Sequence, residues 1–93
     1  MRLSKVIKKN YESIEKRGLI TPDTTIRDFN NKINEEFLEA KCEFDIEDIK
    51  KEWVDVALTA LNALNHFSQN EKEVIKLLTD KIKVNELRGF SGK

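Results

Sequence analysis

The chain carries two pairs of carboxylates whose spacing suits metal binding. Glu36 and Glu39, and then Glu52 and Asp55, each stand three residues apart, with twelve residues between the pairs. On a helix that spacing places both members of a pair on one face. Oxygen donors without His or Cys favour a hard dication, so the four are candidate ligands for Mg²⁺, with Mn²⁺ as the alternative. Four acids drawn together at low dielectric repel strongly unless a cation neutralises them. A third cluster, Lys81, Asn85 and Arg88, offers two cations and an amide at helical spacing. Basic side chains facing a metal-loaded acidic site are what a phosphate-bearing ligand requires.

These residues must be positioned by helices. Gly and Pro are nearly absent, and apolar residues recur at gaps of three and four. The pattern predicts a first helix from about Ser4 to Lys16, with Val6, Ile7 and Ile14 inward and Gly18 as its stop. A second helix is expected from about Ile26 to Glu43, with Thr25 and Asp28 at capping-box spacing. Its apolar stripe is Ile26, Phe29, Ile33, Phe37, Ala40 and Phe44. Glu36 falls beside that stripe, with Glu43 near it and Glu39 slightly further out, while Glu35 points to solvent. Asp45 is the expected N-cap of a third helix, about Ile46 to Phe67. Either Ser68 with Glu71 or Asn70 with Glu73 then opens a fourth, reaching about Leu87. Short connections make the second and third helices antiparallel neighbours, which is how their four carboxylates could converge. The expected fold is all-α: one four-helix, bundle-like domain over residues 1–93.

At about 100° per residue, Ile49, Trp53, Val54, Val56, Ala57, Leu58, Ala60, Leu61, Leu64 and Phe67 give the third helix an apolar arc of roughly 200°. The arc is too wide for one neighbour, so this helix is expected to be buried on several sides, at the centre of the domain or of a dimer. The opposite lane carries Asp48, Glu52, Asp55, Thr59, Asn62 and His66. Trp53 is expected in the core and His66 at a surface or interface. Glu12/Glu15 and Asp45/Asp48 repeat the acid spacing and are assigned no chemistry. On the fourth helix Val74, Leu77 and Leu78 face inward, and the same face continues as Lys81, Asn85 and Arg88.

Composition narrows the function. Seventeen basic and seventeen acidic side chains balance, which argues against a protein that holds nucleic acid mainly through its phosphates. No apolar run approaches the roughly 18 residues of a membrane span, and the N-terminal residues lack the apolar core of a secretory signal. A lone Cys42 fits a reducing compartment and is expected to be inert. These readings point to a soluble cytoplasmic protein. A domain of this size buries only about 60–65% of its unfolded surface, so self-association is expected to complete the core.

Taken in order, Glu36-x-x-Glu39, twelve residues and Glu52-x-x-Asp55 resemble the acidic signature of the all-α nucleoside triphosphate pyrophosphohydrolases. That superfamily contains MazG-like proteins, dimeric dUTPases, dCTP pyrophosphatases and phosphoribosyl-ATP pyrophosphohydrolases. Residues 33–40 are similar to its first metal helix. Lys81-x-x-x-Asn85-x-x-Arg88, followed by Gly92-Lys93, is similar to its phosphate-contacting end. Val54 stands where many members have Gly. The resemblance spans about residues 5–93 and implies a Mg²⁺-dependent enzyme cleaving a nucleoside or deoxynucleoside triphosphate to the monophosphate and pyrophosphate. It implies Glu36, Glu39, Glu52 and Asp55 as metal ligands, Lys81, Asn85 and Arg88 as phosphate contacts, and a homodimer or homotetramer. A carboxylate of the cluster, assigned here to Glu39, would accept a proton from the attacking water. The rival expectation is a non-enzymatic helical dimer serving as a nucleotide sensor or a protein-interaction module.

Overall fold

Four local stop and start signals set the helix boundaries in the computed structural model, which describes residues 2–88. Helix α1 (Leu3–Lys16) ends in a Schellman turn. Leu19 N–H donates to Ile14 O at 3.2 Å, Gly18 N–H donates to Glu15 O at 2.9 Å, and Gly18 takes φ +73°. Helix α2 (Ile26–Lys41) opens on a complete capping box. Asp28 N–H donates to Thr25 Oγ1 at 3.2 Å, and Thr25 N–H donates to Asp28 Oδ2 at 2.9 Å. The Thr25 N–H, and after it the Thr25 hydroxyl, hold the Asp28 carboxyl below its ordinary pKa.

Asp45 caps α3 (Ile46–His66) by accepting from the N–H groups of Glu47 and Asp48. Asn70, rather than Ser68, caps α4 (Glu71–Leu87), accepting from Glu73 N–H at 3.1 Å while Glu73 Oε2 reaches back to Gln69 N–H. The described residues form four helices and no strand. No described helix is long and apolar enough to cross a membrane. Gly92 and Lys93 lie outside the described residues.

Helix α3 touches each of the other three, and α2 is its most extensive partner. Its centrality matches the expectation, but its orientation does so only in part. In the second half of the helix the polar lane turns towards α1 and α2 alongside the apolar arc. Of that arc, Phe67 packs on Phe29 at a centroid distance of 5.8 Å, and Leu64 lines a depression with Ile26 and Leu77. Asn62 is buried and His66 half-buried, whereas Ile46, Trp53 and Val54 are more than half exposed. The reason is chemical matching. Asn10 on α1 donates to Leu58 O and to Asn62 Oδ1, and Tyr11 pairs with His66, so polar groups can be buried because they are satisfied. Trp53 is therefore not a core residue of the single chain, and His66 sits half-buried where α1, the loop before α2 and α2 meet α3.

Helix α2 also stops two residues early, at Lys41. Asp45 must be extended to cap α3, which forces residues 42–44 into a turn and leaves Phe44 97% exposed. Of the predicted stripe, Phe29 and Ala40 are buried, while Ile26 and Phe37 remain exposed. Ile7, Ile20 and Val74 complete a small core.

The surface of the chain is large for its mass. It exposes 7348 Å², whereas a compact monomer of 10.9 kDa exposes roughly 5,600 Å². Its radius of gyration is 14.5 Å, against about 12 Å for a compact domain of this length. The excess area is about twice the roughly 800 Å² that each partner contributes to a standard protein interface.

Candidate functional site

Glu36 and Glu39 lie one turn apart on α2, and the antiparallel return of α3 brings Glu52 to them. One oxygen from each of the three carboxylates falls within 4.8 Å of the others. Glu36 is 9% exposed, because it lies between the Phe29 and Ala40 positions of the buried stripe. Glu39 is exposed and Glu52 half-buried. Asp55, one turn beyond Glu52, stays outside this set of three. It lines a cleft together with Glu36, and its charge acts on Glu52.

The electrostatics are unfavourable for the acids by themselves. Burial pushes the Glu52 carboxyl above its ordinary pKa, and the charges of Glu39, Asp55, Glu43 and Glu36 push it further the same way. Glu52 Oε2 is buried with no hydrogen-bond partner. An orphaned oxygen on a carboxylate that also meets Glu36 and Glu39 fits a dication that would pair it.

Lys32 supplies the nearest positive charge. Its Nζ lies 3.1 Å from Glu36 Oε1 and 3.6 Å from Glu35 Oε1. The bond to Glu36 raises the lysine pKa. Lys32 was not singled out from the sequence, although its position four residues before Glu36 is the signal for such a pair. Glu35 is exposed, as expected, and Glu43 joins Glu39, Glu52 and the exposed Cys42 along a shallow depression.

The third cluster is not brought to the carboxylates within one chain. Helix α4 contacts α1 and α3 but not α2. Lys81 and Arg88 are exposed and Asn85 is half-buried. The cations on the cleft beside Glu36 and Asp55 are instead Arg17 and Lys32.

At the far end of the same α3 lane the polar groups are matched. Tyr11 Oη and His66 Nδ1 are 2.8 Å apart, and His66 Nε2 lies 3.0 Å from Thr24 O. A carbonyl accepts only, so Nε2 carries the proton and Nδ1 accepts from the Tyr11 hydroxyl. The imidazole packs against Phe29 and Phe67 at centroid distances of 5.2 and 4.8 Å. This arrangement ties the loop before α2 to α1 and α3. Burial and the charge of Glu15 raise the Tyr11 pKa. Comparison with family models, with curated proteins and with solved structures returns no match for this chain.

Proposed function

We propose that this chain is a Mg²⁺-dependent nucleoside triphosphate pyrophosphohydrolase, splitting a nucleoside or deoxynucleoside triphosphate into the monophosphate and pyrophosphate. The observation that carries the reading is the convergence of Glu36, Glu39 and Glu52 from two helices, with Glu52 Oε2 buried and unpartnered. The order and spacing of the acids, resembling the MazG-like signature, support it from the sequence side.

In this reading Glu36, Glu39 and Glu52 hold the dication, and Asp55 completes the set from the cleft edge. Mn²⁺ is the alternative ion. A dication held there would supply charge neutralisation and Lewis acidity. Glu39 is the exposed member of the three, and it accepts the proton of the attacking water. Lys32, which pairs with Glu36, lines the cleft and would face a phosphate entering it.

The reading also requires a second copy. The exposed Ile46, Trp53 and Val54 of α3 form an apolar face for self-pairing. Lys81, Asn85 and Arg88 contact phosphate in the assembled homo-oligomer, since α4 does not reach α2 within one chain. The exposed apolar face equally favours the second reading, a helical dimer that binds nucleotide or protein without turnover.

Pyrophosphate release from a panel of nucleoside and deoxynucleoside triphosphates, with Mg²⁺ and with EDTA, separates the two. Metal-dependent release with monophosphate as co-product is expected. A folded protein that binds Mg²⁺ yet releases nothing would leave the second reading standing.

A further inference from the structure

A cleft of about 690 Å³ runs between α1, the loop before α2, α2 and α3, within the size range of small-molecule sites. Glu36 and Asp55 lie on its wall, as do Asn10 and Asn62. Asn62 is 6% exposed, a buried amide at a cavity wall.

The hydrogen bonds determine which way both amides point. Asn10 Nδ2 lies 2.9 Å from Leu58 O, and a carbonyl demands a donor, so the NH₂ of Asn10 faces it. The second hydrogen of that NH₂ meets Asn62 Oδ1 at 2.8 Å. Two atoms are left over. Asn10 Oδ1 is an acceptor and Asn62 Nδ2 a donor, and neither makes a hydrogen bond among the described residues. A donor and an acceptor offered by two side chains lining one cleft can complement the hydrogen-bonding edge of a nucleobase.

The register along α3 suits the same ligand. Asp55 and Asn62 lie on one lane, about 10 Å apart along the helix axis, with Thr59 between them. That interval accommodates one sugar between a phosphate at the carboxylates and a base at the amides. Ile14 and Leu58 give the cleft apolar wall beside the amides, as the faces of a base require.

We propose that Asn10 and Asn62 are the base-reading residues of this chain, and that the α3 lane seats a whole nucleotide rather than a bare polyphosphate. The proposal rests on the pyrophosphohydrolase reading, and goes further by assigning residues to substrate specificity. The test is calorimetric, in Mg²⁺, with α,β-imido nucleoside triphosphates bearing each common base and with inorganic tripolyphosphate as the base-free probe. At least one analogue should bind roughly tenfold or more tightly than tripolyphosphate.

Asn10→Ala and Asn62→Ala should each remove most of that preference while leaving tripolyphosphate affinity unchanged, which also verifies that the variants fold. Asn62→Asp turns the free donor into an acceptor and should reorder the bases. Equal binding of tripolyphosphate and every analogue by the wild-type chain would overturn the assignment and leave the metal reading intact. Variants that retain the wild-type base ranking would overturn it as well. Binding of neither probe would remove the pyrophosphohydrolase reading and this proposal with it.

Discussion

The polar lane of α3 has two halves with opposite energetics. In its second half Asn62 and His66 are buried or half-buried, and each finds a complementary group on α1 or the loop before α2. In its first half Glu52 meets like charges from α2, and one of its oxygens finds no partner at all. Satisfied polar groups join helices, whereas an acid crowded by other acids costs stability wherever nothing compensates it. The contrast on a single helix face is what makes the first half the candidate site: the chain satisfies polar residues further along that lane, and at Glu52 it does not.

The sharpest way to break the contrast is to neutralise the acidic half. Glu52→Gln and Asp55→Asn are each expected to lower triphosphate turnover by about a thousandfold or more, as loss of several kcal/mol of metal-borne transition-state stabilisation implies. Glu35→Gln, at an exposed position, should change turnover little. Retained turnover in both acidic-site variants would show that the crowding has no catalytic meaning.

Assembly is the next largest effect. On the proposed self-pairing, the wild-type chain should sediment as an oligomer and Trp53→Asp as a monomer. If α4 serves a neighbouring copy, mixing inactive Glu52→Gln with inactive Arg88→Ala protein should restore part of the activity through hybrid assemblies. A wild-type chain that sediments as a monomer at high concentration would defeat both statements.

Smaller, but specific to the acidic half, is the dependence of stability on metal and pH. Millimolar Mg²⁺ should raise the melting temperature by several degrees, because it binds the folded chain alone. Without metal, the raised pKa of Glu52 means that the folded state holds its proton to higher pH than the unfolded chain does. Glu52 therefore subtracts stability as pH rises from its unfolded pKa through its folded one, and the deficit persists above. Glu52→Gln should flatten that part of the profile. An unchanged profile would place the cause elsewhere.

The matched half should respond least. Tyr11→Phe removes the hydrogen bond to His66 and should cost about 1 kcal/mol in denaturant unfolding, without altering metal affinity. A changed metal affinity would mean that the two halves are coupled.

Local chemistry alone made the helices legible. Thr25 with Asp28, Asp45, Asn70 and Gly18 act within a few residues of themselves, so their caps and turn can be read from the chain before any packing is known. The antiparallel return of α3 onto α2 followed from the short connection at residues 42–45, and with it the meeting of Glu36 and Glu39 with Glu52. What periodicity could not supply was the direction that α3 faces. A wide apolar arc looks like a core, but Asn10 and Tyr11, far away in sequence, offer partners that let the polar lane be buried at Asn62 and His66, while Trp53 and Val54 of the arc stay exposed. The separation of Lys81, Asn85 and Arg88 from the carboxylates is also a tertiary outcome, since it depends on which helices α4 touches. Caps and spacings are decided by neighbours in the chain. Facing and convergence are decided by neighbours in space, because they depend on which distant group satisfies which polar atom.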